Sequence, residues 1–136
     1  MSVASTHSII ERSERILITG ANGFIGSKVV ETLLLEGFKN LRCLVRSSSY
    51  MENLKKVIEA YPVNAVEVCE GNLLSRDVCG RAVEGASVVY HLAAGRGEKS
   101  YPDAYMNSVV TTRNLLEAMG EDGKAKRIVC VSSFNV

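Results

Sequence analysis

Short apolar runs rich in β-branched residues recur along the chain at Arg15–Thr19, Leu41–Val45, Ala65–Cys69, Ser87–Leu92 and Arg127–Val131. Their length suits strands rather than helices. Between them the apolar positions fall at helical spacing. Phe24 to about Glu36 places Gly26, Val30, Leu33 and Leu34 on one face, and Gly37 follows as a stop. Met51–Ala60 predicts a second helix ended by Tyr61 and Pro62, and Asp103–Met119 a longer one ended by Gly120. Ser75–Val83 is a further short helical stretch. Alternation of this kind predicts βαβ units. Strands that read as near-continuous Val, Ile and Leu are those of a parallel sheet buried on both faces, with right-handed crossovers. The expected fold is therefore α/β, a doubly wound parallel sheet of Rossmann type, truncated after the fifth strand. Residues 1–14 form a polar lead without periodicity, expected to be loosely held, and residues 15–136 are expected to form the α/β domain.

The 136 residues suit one domain, and 46% hydrophobic with 23% charged residues is an ordinary globular composition. Sixteen basic and fifteen acidic residues are scattered, for a net charge of +1, without the basic block that would coat a phosphate backbone. Nucleic acid is accordingly not an expected partner. Apolar runs fall far short of the ~20 residues that cross a bilayer, and Ser2–Arg15 has no apolar signal core, so neither a membrane nor export is expected and the location is read as cytoplasmic. Cys43, Cys69, Cys79 and Cys130 show no paired spacing, and with only His7 and His91 besides, no metal site is expected. The thiols are read as reduced and structural.

The chemistry starts where the first strand ends. The chain reads Thr19-Gly20-Ala21-Asn22-Gly23-Phe24-Ile25-Gly26, with glycines at the first, fourth and seventh places of the turn. One glycine permits the tight turn, the next lets backbone approach a pyrophosphate, and the last lets the helix pack on the strand. The helix N-terminus then offers unpaired N–H groups and partial positive charge to an anion. Glycines also mark ordinary turns, but here they follow a strand and open an amphipathic helix, the context of a dinucleotide fingerprint. Gly20, Asn22, Gly23, Phe24, Ile25 and Gly26 are the candidate phosphate-binding residues. Cofactor choice is read about 20 residues on, where NAD-preferring proteins carry an acid for the ribose 2′-OH. This chain has Leu44-Val45-Arg46-Ser47-Ser48-Ser49 there. Arg46 can pair with a 2′-phosphate and stack on adenine, which favours NADP, with NAD possible; the alternative is a merely solvated arginine.

The turn resembles that of the extended short-chain dehydrogenase/reductase family, the NAD-dependent epimerase/dehydratase type, in its form Thr-Gly-x-x-Gly-Phe-Ile-Gly. Later motifs agree in order: Gly71-Asn72-Leu73, Val89-Tyr90-His91-Leu92-Ala93-Ala94, Thr112-Arg113-Asn114-Leu115-Leu116-Glu117-Ala118 and Val131-Ser132-Ser133. The resemblance runs from Arg15 to the end. It implies adenine contacts from Asn72 and Leu73, and a backbone path of Ala93, Ala94 and Gly95 past the pyrophosphate and nicotinamide ribose. The family usually has Asp where Asn72 stands, and an amide keeps both donor and acceptor. Tyr90 and His91 are read as strand-end packing residues. The resemblance also implies a catalytic hydroxyl at Ser133, with Ser132 as alternate, though either could simply bond to nearby backbone. It implies a Tyr-x-x-x-Lys pair as well. None of Tyr50, Tyr61, Tyr90, Tyr101 or Tyr105 has Lys four positions on. Ser108 stands where the family has Asn on the long helix, with Asn107 one residue early, so that role is not carried over.

The expected function is the cofactor half of an NAD(P)-dependent oxidoreductase or sugar-nucleotide epimerase/dehydratase, binding cofactor without turnover in these 136 residues. The substrate class is a nucleotide sugar or a hydroxy or keto compound, and a homodimer through the long helix is an expected assembly. The alternative is a non-catalytic NADP-binding regulator that senses redox state.

Overall fold

The computed structural model describes residues 8–47, 50–95 and 100–132. Among them, strands β1 (Arg15–Thr19), β2 (Leu41–Val45), β3 (Val66–Glu70), β4 (Ala86–His91) and β5 (Arg127–Cys130) form one sheet. Its order is β3-β2-β1-β4-β5 and every pairing is parallel. Helices α1 (Phe24–Leu35), α2 (Glu52–Glu59) and α3 (Arg76–Val83) connect the first four strands. A long helical run then leads to β5: α4 (Tyr101–Tyr105), a π-helical turn (Met106–Val110) and α5 (Thr111–Asp122).

Burial on both faces of the central strands explains their uninterrupted apolar reading. Successive side chains of β1 go to opposite layers. Ile16 and Ile18 join Val30, Leu33, Cys43 and Leu54 under α1 and α2, while Leu17 joins Leu44, Val83, Val89 and Leu115 under α3 and α5. Cys43 and Cys79 are buried, Cys69 is half-buried and Cys130 is exposed; all four are free thiols. Burial pushes the Cys43 thiol up to about 12, so it behaves as a small hydrophobe.

Element boundaries depart from the sequence pattern where a cap decides them. The long helix starts at Tyr101, earlier than the apolar spacing suggests, because Ser100 Oγ accepts the Asp103 N–H at 3.2 Å. It runs through Gly120 and stops at Gly123, whose φ of +71° supplies the left-handed cap. β3 begins at Val66 because a 3-10 turn occupies Val63–Ala65. The described part of the N-terminal lead is held to the domain. Ile10 is buried in the α1 layer, the Arg12 Nε donates to the Glu36 carbonyl at 2.7 Å, and Glu14 accepts from Ser87 Oγ and Lys126 Nζ at 2.8 and 3.1 Å.

One buried cation shapes the α3 side. Arg42 on β2 is 7% exposed, and its Nη1 donates to the carbonyls of Arg81, Ala82 and Glu84 at 2.8, 3.0 and 3.2 Å. Those are carbonyls at the C-terminal end of α3, which have no partners within the helix. Its Nε donates to Glu67 at 2.9 Å. Replacing Arg42 with Met leaves these acceptors without a donor and is expected to destabilise the domain by about 2–4 kcal/mol. Glu67→Gln, at a half-exposed carboxylate, is expected to cost under about 1 kcal/mol. Urea unfolding of the two variants checks the ranking.

Candidate functional site

The sheet reverses direction of growth between β1 and β4, and the crevice outside the strand ends at such a switch point is where open α/β sheets bind ligands. A cleft of about 410 Å³ lies there, a volume within the usual range for ligand sites. Its floor is the turn after β1. Gly20 adopts φ +66°, and a Cβ on it would stand 2.9 Å from the Ala93 nitrogen. The Gly23 N–H donates to the Gly20 carbonyl at 3.1 Å and closes the turn. A Cβ on Gly26 would fall 2.1 Å from the Gly20 oxygen, so α1 sits directly on the turn.

This packing aims the start of α1 at the cleft. Gly23 is its cap residue, with no capping side chain and no acid in the first turn. The N–H groups of Phe24, Ile25 and Gly26 therefore have no helical partner, and the positive end of the helix dipole is unopposed. Such an end is an anion site in its own right. The glycines at 20, 23 and 26 let the turn fold this tightly against its own backbone and against the end of β4.

The walls come from the other strand ends and from the long helix. Asn22, Arg46, Asn72, Leu73, Ala93, Ala94 and Gly95 all line the cleft with Gly20 and Gly23. The Asn72 Oδ1 accepts the Leu74 N–H at 2.9 Å, an Asx turn that shapes the loop after β3. Asn114, buried on α5, donates to the carbonyls of Leu73 and Leu74 at 3.0 and 3.2 Å and holds that loop to the helix. The side chains of Phe24 and Ile25 lie elsewhere. They are 86% and 52% exposed and line an apolar groove with Tyr90 on the far side of α1, so their backbone alone belongs to the turn. Ser132 is exposed just past β5, and Ser133 lies outside the described residues.

The structure adds a third wall that the sequence reading missed. Asp103, Asn107 and Thr111 line the cleft from the long helix. Arg46 donates to Asn107 Oδ1, while Asn107 Nδ2 donates to the Asp103 carbonyl and to its Oδ1 at 3.0 and 3.1 Å. A polar residue at every fourth position along 103, 107 and 111 is the signal that could have found this face. His91 is buried rather than merely packed at a strand end, between the Thr19 and Thr112 hydroxyls at 2.8 and 2.9 Å.

Parallel strands, a glycine turn opening the first helix and a cleft over the switch point define a dinucleotide-binding Rossmann domain. The chain belongs to the NAD dependent epimerase/dehydratase family, whose description matches residues 16–136. It is 32% identical over 129 residues to aldehyde reductase 2 of Sporidiobolus salmonicolor, covering 93% of this chain and 37% of that one. It is 35% identical over 130 residues to a 3 beta-hydroxysteroid dehydrogenase/Delta 5-->4-isomerase of Mycobacterium tuberculosis, covering 90% and 32%. Among solved structures, a dTDP-glucose 4,6-dehydratase double mutant from Streptomyces venezuelae with NAD bound matches at a TM-score of 0.76 and 25% identity, over 88% of this chain and 39% of that chain. The chain thus spans about a third of the length of the curated relatives it matches. Among the described residues no helix is long and apolar enough to cross a membrane.

The glycines of the turn differ in what they permit, and two substitutions separate them. At Gly26 a side chain collides with backbone 2.1 Å away, so Gly26→Val is expected to unfold the domain or lower its melting temperature by more than about 10 °C. At Gly23 a Cβ meets only the Gly20 oxygen at 3.3 Å, so Gly23→Val is expected to keep the fold and lose about tenfold or more in NADPH affinity. Thermal melts beside calorimetric titration read both.

Proposed function

We propose that these 136 residues are the cofactor-binding region of an NADP-preferring oxidoreductase or sugar-nucleotide epimerase/dehydratase, and that by themselves they bind cofactor without turnover. Family membership carries the enzyme class. The single observation that carries the NADP preference is the end of β2, where Arg46 lines the cleft with no carboxylate at that place. An acid there would accept from a ribose 2′-OH and repel a 2′-phosphate, whereas a guanidinium pairs with the phosphate through two parallel hydrogen bonds. In this reading Gly20, Asn22, Gly23 and the first N–H groups of α1 hold the pyrophosphate. Asn72 and Leu73 border the adenine, and Ala93, Ala94 and Gly95 pass backbone beside the nicotinamide ribose. The bound dinucleotide supplies hydride exchange with a carbon of the substrate. Ser133, with Ser132 as alternate, is the proposed hydroxyl that holds the substrate oxygen. The substrate is a small molecule with a hydroxyl or keto group, a nucleotide sugar among the candidates. Lack of turnover rests on the five tyrosines, none of which has a lysine four residues on.

A homodimer is the proposed assembly. Tyr101, Tyr105, Val109 and Leu116 run along the long helix with 82%, 47%, 50% and 47% of their surface exposed, a large apolar content for one helix face.

Calorimetric titration with NADPH and NADH tests the cofactor choice. NADPH is expected to bind about 10- to 100-fold more tightly, the effect of one charge-assisted bidentate contact. Arg46→Asp is expected to abolish or invert the preference; equal affinities in both proteins would refute it. Sedimentation tests the assembly: a dimer is expected for the unmodified chain and a monomer for the Tyr105→Glu, Val109→Glu double variant.

A further inference from the structure

One chain of hydrogen bonds joins the floor of the cleft to its helical wall through the buried end of β4. The Thr19 hydroxyl accepts the N–H groups of Leu92 and Ala93, both at 3.1 Å, and lies 2.8 Å from His91 Nδ1. A hydroxyl has two lone pairs and one hydrogen. The Leu92 N–H is shared with the Thr19 carbonyl at 3.3 Å, and with these N–H groups on its oxygen the hydroxyl directs its hydrogen to Nδ1 as acceptor. The imidazole hydrogen sits on Nε2 and is donated to Thr112 Oγ1 at 2.9 Å. Thr112 in turn donates its hydroxyl hydrogen to the Ser108 carbonyl. This placement of the hydrogens is that of a neutral Nε2–H imidazole.

The far end of this chain is the π-helical turn. There the Thr111 N–H reaches the Met106 carbonyl, five residues back, so one extra residue is accommodated in the helix. Asn107 consequently faces the cleft. Ser108 faces the loop after β4, where its Oγ accepts the Gly95 N–H at 3.0 Å. The fit is close, since a Cβ on Gly95 would stand 3.0 Å from Asn107 Cβ and 3.1 Å from Ala104 Cα.

We propose that His91 is a positioning residue that locks the phosphate turn to the π-helical turn, so that Gly20, Gly95 and Asn107 present one rigid frame to the dinucleotide. His91 does not itself line the cleft; it acts through Thr19, which does, and through Thr112. Burial lowers the imidazole pKa from its ordinary value, in keeping with the neutral form that the hydrogen bonds require. The affinity consequence rests on the cofactor reading above, whereas the coupling of the two turns does not.

Three variants and two readouts test it. His91→Leu keeps bulk without polarity, His91→Gln can accept through Oε1 and donate through Nε2, and Thr112→Val removes the link to His91 together with the hydroxyl bond to the Ser108 carbonyl. Amide hydrogen exchange at Ala93 and Gly95 is followed by NMR without nucleotide, and NADPH affinity by calorimetry. His91→Leu and Thr112→Val are expected to speed exchange at both amides and weaken NADPH about tenfold, the loss of one or two buried hydrogen bonds. His91→Gln is expected to stay within about threefold of the unmodified chain. The proposal is overturned if Thr112→Val leaves Ala93 exchange unchanged, if the Gln and Leu variants lose equally, or if the His91 ring nitrogen spectrum reports an Nδ1–H tautomer. Should the unmodified chain bind neither dinucleotide, the cofactor reading falls, and Ala93 exchange in Thr112→Val still decides the coupling.

Discussion

Contact between two stretches of bare backbone governs the rest of the structure. Gly26 rests on the Gly20 carbonyl so closely that a methyl group at Gly26 would overlap it, and Gly20 in turn abuts the backbone at Ala93. This double approach brings α1 down onto the end of β1 and pins both to the end of β4. The turn that leads into α1 thereby borders the crevice with Gly20, Asn22 and Gly23. For the anion site proposed there the helix end supplies donors and partial charge together, without a cation. The near-neutral composition of the chain is consistent with this economy.

Cationic chemistry enters only at the rim. Arg46 extends from the end of β2 to Asn107, whose amide is oriented by Asp103. An amide next to a carboxylate turns its NH2 toward the acid, which leaves Oδ1 as the acceptor for the guanidinium. Arg46 is thus engaged through a neutral oxygen rather than an ion pair. On the proposed NADP reading, a 2′-phosphate offers the guanidinium an ion pair with two parallel hydrogen bonds in place of one bond to a neutral amide oxygen.

Much of this was legible in the residues. β1 reads as an apolar run, and β2 does so apart from Arg42, because both of their faces are covered, and the glycine spacing from Gly20 to Gly26 announced the turn. What escaped the pattern depended on single hydrogen bonds. Hydropathy does not distinguish Gly120, which lies inside a helix, from Gly123, which ends it; the left-handed backbone at Gly123 does. Nor does it reveal that Ser100 caps the long helix. The Phe24 and Ile25 side chains belong to the same motif as the glycines, yet they line a separate apolar groove with Tyr90. A motif records neighbours in sequence, and at helical spacing adjacent residues point about 100° apart.

The Asn107 and Ser108 pair illustrates the same limit from the other side. In a regular helix, residues one apart cannot exchange roles, so an Asn displaced by one position reads as an Asn lost. The π-helical turn at Met106–Val110 absorbs one residue without ending the helix, and with it the register on the cleft side shifts relative to the register on the β5 side. Leu115 and Ala118 keep their place against the sheet, while Asn107 and Ser108 both find partners around the cleft. Such a turn is costly in ordinary helices because its hydrogen bonds are poorly aligned. Here the hydroxyls of Thr111 and Thr112 donate to the carbonyls of Asn107 and Ser108, four residues back in each case. The Thr-Thr pair supplies extra donors where the backbone ladder is disturbed, and one of the two also reaches His91. The irregularity of the helix and the buried histidine are therefore parts of a single polar network, and a change at either end is felt at the other.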